Sequence, residues 1–170
     1  MTLDPLPHLQ RIFGFPAFRG VQADVVARVL AGDRTLAVMP TGAGKSLCYQ
    51  LPAVMQEGTC VVVSPLIALM HDQLRAAEAV GIRAATLTSV DENRAETVQR
   101  FRAGELDLLY VAPERASQQH FRDLLASSRL SPMARSSMRR KFIPLASAAE
   151  RMPRMCGGAV STRRVSKTFS

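Results

Sequence analysis

The sequence predicts an α/β fold in which a parallel sheet is flanked by helices and followed by a basic tail of low order. Short apolar, β-branched runs alternate with segments of helical periodicity between residue 9 and about residue 126, the pattern of strand–helix–strand units. A glycine-rich segment joins one of these runs to the helical segment after it. Beyond residue 126 neither period is sustained, and Ser and Arg dominate.

The size and composition of the chain fit one domain with its own core. Of its 170 residues, 47% are hydrophobic, which is enough for a single globular unit. No run approaches the roughly 18 to 20 apolar residues that span a bilayer, and the first residues lack the pattern of a signal peptide, so a cytoplasmic protein is expected. The three cysteines form no CxxC pair, and we interpret Cys48 and Cys60 as core residues rather than as part of a disulfide framework.

The formal net charge of +8 is distributed very unevenly along the chain. Residues 1–126 hold 12 Lys and Arg against 13 Asp and Glu, whereas residues 127–170 hold 10 against 1. The basic excess therefore belongs to the tail, and it says nothing about whether residues 1–126 bind nucleic acid. The chain is accordingly divided into a folded part, residues 1–126, and a tail, residues 127–170.

The first elements lead to the glycine-rich segment. After a short apolar run over residues 9–15, a helix with one buried face is predicted from the spacing of Val21, Val25, Val26, Val29 and Leu30. Gly32 and Asp33 end it. Residues 35–39 are predicted to form a buried strand that runs into the glycine-rich loop, and a helix is expected from about Gly44.

The same alternation continues to the end of the folded part. Residues 59–64 have the continuous β-branched run of a strand covered on both faces. Two further strands are predicted over residues 84–88 and 106–112, and helices over residues 66–80, 92–103 and 117–125. Strands that alternate with helices at this spacing imply a parallel sheet.

The glycine-rich loop has the context of a phosphate-binding loop, because it follows a predicted strand and opens a helix. The phosphate-binding residues would be Thr41, Gly42, Ala43, Gly44, Lys45 and Ser46. Glycines let successive N–H groups point at one anion, Lys45 would reach the β- and γ-phosphates as the catalytic cation, and Ser46 would place its hydroxyl on Mg²⁺. The alternative is a glycine-rich turn that merely caps a helix, and Met39 stands where the general pattern has Gly.

Four segments in order resemble the RecQ family of ATP-dependent DNA helicases. Residues 9–22 resemble its first motif, LxxxFGxxxFRxxQ, and MPTGAGKSLCYQLPA (39–53) is similar to its motif I. VVVSPLIALMHDQ (61–73) resembles motif Ia, and YVAPER (110–115) resembles the motif after it. The resemblance covers residues 9 to about 126, and it implies the RecA-like fold of a superfamily two motor, here with an incomplete sheet.

The resemblance also implies roles for individual residues. Arg19 and Gln22 would recognise adenine; the alternative is that Phe13, Phe15 and Phe18 are core aromatics and Gln22 a helix cap. The turn Ser64-Pro65-Leu66 would present N–H groups to a phosphate of a DNA strand. Gln73 and Arg115 are further DNA-binding candidates, for which a solvated surface position is the alternative.

The family's Asp-Glu-Ala-His box, which would complete the ATPase, is missing from the sequence. The single Asp-Glu pair, Asp91-Glu92, is interpreted as a helix cap. We therefore expect the chain to be the ATP-binding part of a 3′ to 5′ DNA helicase of repair and recombination. The partners of the full-length relative would be ATP, Mg²⁺ and DNA, either single-stranded or at a duplex junction. The chain alone is expected neither to hydrolyse ATP nor to unwind DNA. One alternative is another superfamily two motor such as an RNA helicase, against which residues 13–22 argue; another is a regulatory or dominant-negative fragment.

The tail suggests a shifted reading frame of a helicase gene. Met133 and Met138 have known codons, and regrouping the bases of residues 135–141 permits two apolar residues followed by Asp-Glu-Ala-Gln. This string falls where the family's strand and Asp-Glu-Ala-His box belong. The bases of the gene at these codons decide the hypothesis.

Overall fold

The computed structural model describes residues 4–33, 35–88, 91, 93–127, 142–144, 160 and 161. Its helices are α1 (Leu6–His8), a π-helical turn over Leu9–Phe13, α2 (Gln22–Leu30), α3 (Leu47–Met55), α4 (Ile67–Ala79), α5 (Arg94–Ala103), α6 (Pro113–Ala116) and α7 (Gln119–Ser127). Its strands are β1 (Leu36–Ala37), β2 (Cys60–Val63), β3 (Ala84–Leu87), β4 (Leu108–Val111), β5 (Phe142–Pro144) and β6 (Val160–Ser161). Helices and strands alternate from α2 to β4, as the periodicity predicts.

The centre of the fold is a parallel sheet with the strand order β3-β4-β2-β5. Strands β2, β3 and β4 are buried at every position. Successive residues of β2 belong to two different hydrophobic clusters, Val62 with residues of α3 and α4 and Val61 with residues of α5 and α7. Helices therefore cover both faces, which explains why these strands are continuous apolar runs rather than alternating ones.

Strand β1 stands outside this sheet and pairs antiparallel with β6. The side chain of Leu36 is 68% exposed and that of Val38 is 44% exposed. The prediction of a buried strand over residues 35–39 is therefore wrong. Burial of a strand on both faces requires neighbouring strands and two helical layers, and β1 is not hydrogen bonded to the sheet that has them.

Of the tail, the structure describes Ser127 at the end of α7 and the strands β5 and β6, and the rest of residues 128–170 lies outside the described residues. This holds for Cys156 and for residues 133–141, on which the reading-frame hypothesis depends. Among the residues that the structure describes, no helix has the length and apolar character needed to cross a bilayer.

An ion pair joins the starts of β3 and β4 at the amino-terminal edge of the sheet. The Asp107 carboxylate accepts hydrogen bonds from Arg83 Nε (3.1 Å), from an Arg83 terminal nitrogen (2.6 Å) and from the Arg83 backbone N–H (3.0 Å). The Arg83 side chain is 59% exposed and that of Asp107 is 17% exposed. Water therefore weakens the Coulomb attraction, and all three hydrogen bonds lie at the exposed surface.

Asp107→Ala is expected to lower the free energy of unfolding by about 1–2 kcal/mol, because it leaves the Arg83 N–H without its acceptor as well as breaking the ion pair. Urea unfolding followed by circular dichroism measures the change. The matched control is Asp72→Ala, which removes an exposed carboxylate on α4 and should change stability by less than about 0.5 kcal/mol. Equal effects of the two variants would contradict this role of Asp107.

Candidate nucleotide-binding site

The loop of residues 41–46 connects β1 to α3 and has two glycines in left-handed conformations. Gly42 has φ 81° and Gly44 has φ 70°, values that residues with a side chain rarely adopt. A hydrogen bond from Ala43 N to Pro40 O (3.3 Å) closes a turn that contains Gly42. Most of the loop, including Thr41, is exposed. The sequence Gly-Ala-Gly therefore produces an open backbone curve at the surface.

Helix α3 begins at Leu47, later than the expected start near Gly44. Its first turn is wound more tightly than an α-helix, because the N–H groups of Leu47, Cys48 and Tyr49 bond to carbonyls three residues earlier, each at 3.2 Å. Ser46 is the N-cap residue, and its hydroxyl makes no capping hydrogen bond to this turn. The Ser46 hydroxyl is therefore not used to cap the helix that follows it.

The Lys45 ammonium folds back over the loop. Lys45 Nζ donates to Met39 O (3.1 Å) and to Pro40 O (2.9 Å), both at the exposed surface. Two main-chain carbonyls just before the loop therefore hold the ammonium at the surface.

The side chain of Gln22, the first residue of α2, is hydrogen bonded to the loop. Its Nε2 donates to Ala43 O (2.9 Å) and to Gly44 O (3.3 Å), and its Oε1 accepts from Arg19 N (2.9 Å). The side chain is 4% exposed. A Cβ added to Gly44 would lie 2.5 Å from Gln22 Nε2, so this contact requires glycine at position 44. No sequence pattern signals the contact, because 21 residues separate Gln22 from Ala43.

Arg19 lies at the surface, and its backbone N–H is bonded to the Gln22 side chain that contacts the loop. Its guanidinium carbon is 5.9 Å from the centroid of the Phe15 ring, which is 44% exposed. Phe13 and Phe18 are partly buried and pack against the cluster around Leu9 and Leu51. The core-aromatic alternative therefore describes Phe13 and Phe18, whereas the Phe15 side chain faces solvent with Arg19.

The DNA-binding candidates fall into two places. Ser64, Pro65 and Leu66 follow β2, and Ser64 N donates to Val111 O (3.1 Å) at the end of the neighbouring β4. Ser64 is buried and its hydroxyl accepts the Leu66 N–H (3.4 Å), while Leu66 is 49% exposed. Gln73 instead lies in the middle of α4, where its Oε1 accepts a hydrogen bond from the Tyr49 hydroxyl (3.0 Å).

Arg115 follows β4 on the same edge as the Ser64 turn, because β2 and β4 are parallel. Its guanidinium donates to Thr88 O (3.2 Å) and to Gln118 Oε1 (3.1 Å), and the residue is partly buried. The bond to Thr88 O ties the segment after β4 to the end of β3. Arg115 is therefore not simply a solvated surface residue.

Asp91 does not cap a helix. Helix α5 begins at Arg94 with Asn93 as its N-cap residue, and the Asp91 carboxylate accepts hydrogen bonds from the Thr86 hydroxyl and the Thr88 N–H. The interpretation of Asp91-Glu92 as a cap is thus wrong for Asp91, and Glu92 lies outside the described residues. The Asp91 carboxylate instead attaches residue 91 to the carboxyl end of β3.

A family model for DEAD/DEAH box helicases matches residues 19–133. The ATP-dependent DNA helicase RecQ of Bacillus subtilis is 43% identical over 116 residues, which are 66% of this chain and 20% of that protein. The RecQ helicase of Haemophilus influenzae is 41% identical over 124 residues, 72% of this chain and 20% of that protein. The chain thus spans about a fifth of the length of these relatives.

A crystal structure of a hypothetical ATP-dependent RNA helicase from Sulfolobus tokodaii superposes with a TM-score of 0.57 at 22% identity, covering 73% of this chain and 38% of that one. At this identity the likeness concerns the fold, and it confirms the predicted RecA-like sheet flanked by helices. The similarity to RecQ helicases confirms the resemblance that the motifs indicate. With a family model matching more than half of its residues, the chain belongs to the DEAD/DEAH box helicase family.

Proposed function

We propose that this chain binds ATP through residues 41–46 as part of the motor of a RecQ-type 3′ to 5′ DNA helicase. The observation that carries the proposal is the loop itself, in which left-handed Gly42 and Gly44 open the backbone beside the Lys45 ammonium. A triphosphate needs this combination of backbone N–H donors and a nearby cation.

Each residue of the loop has a part in holding the nucleotide. Lys45 exchanges the Met39 and Pro40 carbonyls for the β- and γ-phosphates, and charge-assisted hydrogen bonds make this contact the strongest in the site. The Ser46 hydroxyl fits a Mg²⁺ ion, which takes few protein ligands beside its waters and the phosphate oxygens. The ion, when bound, neutralises charge on the phosphates.

Adenine recognition is assigned to Arg19 and Gln22, next to the loop. The Arg19 guanidinium and the exposed Phe15 ring present flat surfaces beside the segment that supports the phosphate loop. Gln22 already uses both donors of its amide on Ala43 O and Gly44 O, so a base that bonds to this amide has to share or replace those contacts.

DNA binding is assigned to the edge where β2 and β4 end. The Ser64-Pro65-Leu66 turn and Arg115 share this edge, and Gln73 lies on the helix that follows the turn. In a full-length relative these groups would contact a single strand or a duplex junction during repair or recombination. Because the chain contains no Asp-Glu-Ala-His box, we propose binding without hydrolysis for the chain alone.

Competition for a bound fluorescent ADP analogue tests the proposal with the full chain. The affinities of ATP and ADP as competitors should be at least about tenfold higher than that of AMP. In the proposed site the loop contacts the β-phosphate, which AMP lacks, and one charge-assisted bond contributes about 1.5–3 kcal/mol. GTP should compete more weakly than ATP if Arg19 and Gln22 read the base. Equal affinities of AMP and ADP would show that the loop is not the phosphate-binding site. Equal affinities of GTP and ATP would contradict the proposed adenine contacts but not the phosphate contacts.

A further inference from the structure

A chain of buried polar side chains connects α3 to α4 and β4. The Tyr49 hydroxyl donates to Gln73 Oε1 (3.0 Å) on α4, and Gln50 Nε2 donates to the Tyr110 hydroxyl (3.4 Å) on β4. The Tyr49 and Tyr110 rings meet edge to face, with centroids 6.3 Å apart and planes at 80°. Two consecutive residues of α3 thus bond to two different elements.

The Gln50–Tyr110 contact lies in the core, and the Tyr49–Gln73 contact is partly buried. Tyr49 is 3% exposed, Tyr110 is 1% exposed and Gln50 is 6% exposed. Burial raises the pKa of both tyrosines above the ordinary value, because the low-dielectric interior disfavours the phenolate. A buried hydroxyl that loses its partner cannot turn to water, and its hydrogen bond is therefore expensive to break.

Tyr49 also belongs to the turn that follows the phosphate loop. Its backbone N–H bonds to Ser46 O at 3.2 Å, three residues back, in the tightly wound first turn of α3. The next bond, from Gln50 N to Ser46 O (2.9 Å), is the first of the ordinary α-helical type. The backbone of Tyr49 is thus bonded to the loop residue Ser46, and its hydroxyl is bonded to Gln73 on another helix.

We propose that Tyr49 and Gln73 are positioning residues that transmit nucleotide occupancy of the loop to α4. Phosphate bound at residues 44–46 draws their N–H groups toward it and rewinds the first turn of α3. The Tyr49 hydroxyl then carries the displacement to Gln73, and Gln50 carries it to β4 and so to the edge that Arg115 shares. This inference rests on the proposed nucleotide binding, and it gives Gln73 a role within the protein in addition to the one proposed for it at DNA.

Amide hydrogen exchange of the full chain, with and without saturating ADP, tests the link. In the unaltered chain ADP should slow exchange both in residues 41–46 and, by about threefold or more, in residues 67–79. Tyr49→Phe removes only the hydroxyl and should preserve the slowing in the loop while abolishing most of it in α4. Gln73→Met, at a half-buried position, should abolish the response of α4 in the same way.

Thr59→Val is the matched control, because it too removes one buried hydroxyl, which donates to Leu106 O (2.7 Å) at the other end of β2. A merely structural loss should resemble this control, which keeps the nucleotide response of α4. The link is contradicted if ADP slows amide exchange in the loop of the unaltered chain but not in α4. It is also contradicted if ADP still slows exchange in α4 of Tyr49→Phe as it does in Thr59→Val, or if Tyr49→Phe loses the slowing in the loop as well. Absence of any response of the loop in the unaltered chain would instead refute nucleotide binding, and the link with it.

Discussion

Lys45→Ala is expected to weaken binding of the fluorescent ADP analogue by about 100-fold or more. The variant removes the ammonium that lies beside the loop, and with it charge-assisted bonds worth about 1.5–3 kcal/mol each. Its two present partners are exposed carbonyls that water can serve, so stability should change by less than about 0.5 kcal/mol. A fluorescence titration and a thermal melt of the same preparation separate the two effects.

Arg102→Ala controls for loss of a positive charge as such. Arg102 lies exposed on α5, away from the loop, and its removal should leave ADP affinity within about twofold of the unaltered chain. If Lys45→Ala binds the analogue as well as Arg102→Ala does, the loop is not the nucleotide site.

Gly44→Ala is expected to damage both the loop and the stability of the chain. An alanine at φ 70° costs about 1–2 kcal/mol of backbone strain, and its Cβ would lie 2.5 Å from Gln22 Nε2. The Nε2 atom is at the end of the Gln22 side chain, but this side chain is buried and its amide nitrogen and oxygen are both hydrogen bonded. It therefore cannot move away from the added Cβ without breaking those bonds. We expect a total loss of about 2–4 kcal/mol and at least a tenfold loss of ADP affinity.

Gly104→Ala isolates the part of this effect that comes from backbone conformation. Gly104 has φ 74°, close to that of Gly44, but a Cβ added there meets nothing within 4 Å. It should therefore lose only the backbone strain, about 1–2 kcal/mol, and keep its ADP affinity. If urea unfolding shows equal losses for Gly44→Ala and Gly104→Ala, the contact with Gln22 does not require glycine at position 44.

The parts of the fold that could be predicted from sequence are those governed by local pattern. Strands β2 and β4 are apolar at consecutive positions because both faces are covered, and the helical period of α2 and α4 reflects one buried face each. The loop of residues 41–46 could be located because its glycine spacing sets the backbone conformation within a few residues. The similarity to RecQ helicases was predictable for the same reason, since four short motifs carry it.

The remaining features depend on contacts between distant parts of the chain. The residues around β1 are as apolar as those of β2, yet Leu36 is exposed, because pairing with the central sheet and not composition decides burial. Asp91 precedes a helix in sequence but bonds backward to β3. Gln22 and Gln73 could be chosen as site residues, whereas their partners on the loop and on α3 could not, because hydrogen bonds across more than 20 residues leave no periodic trace.

The position of Lys45 has a consequence for the kinetics of binding. Left-handed Gly42 and Gly44 set the curvature of the loop within the fold, with the Lys45 ammonium on the Met39 and Pro40 carbonyls, so the entropy of ordering the loop is lost on folding rather than on encounter. In the proposed binding, a nucleotide would replace these carbonyls as the partner of Lys45, and water would take over the released carbonyls. Association should consequently be fast and nearly independent of nucleotide type, so that selectivity among nucleotides resides in their dissociation rates.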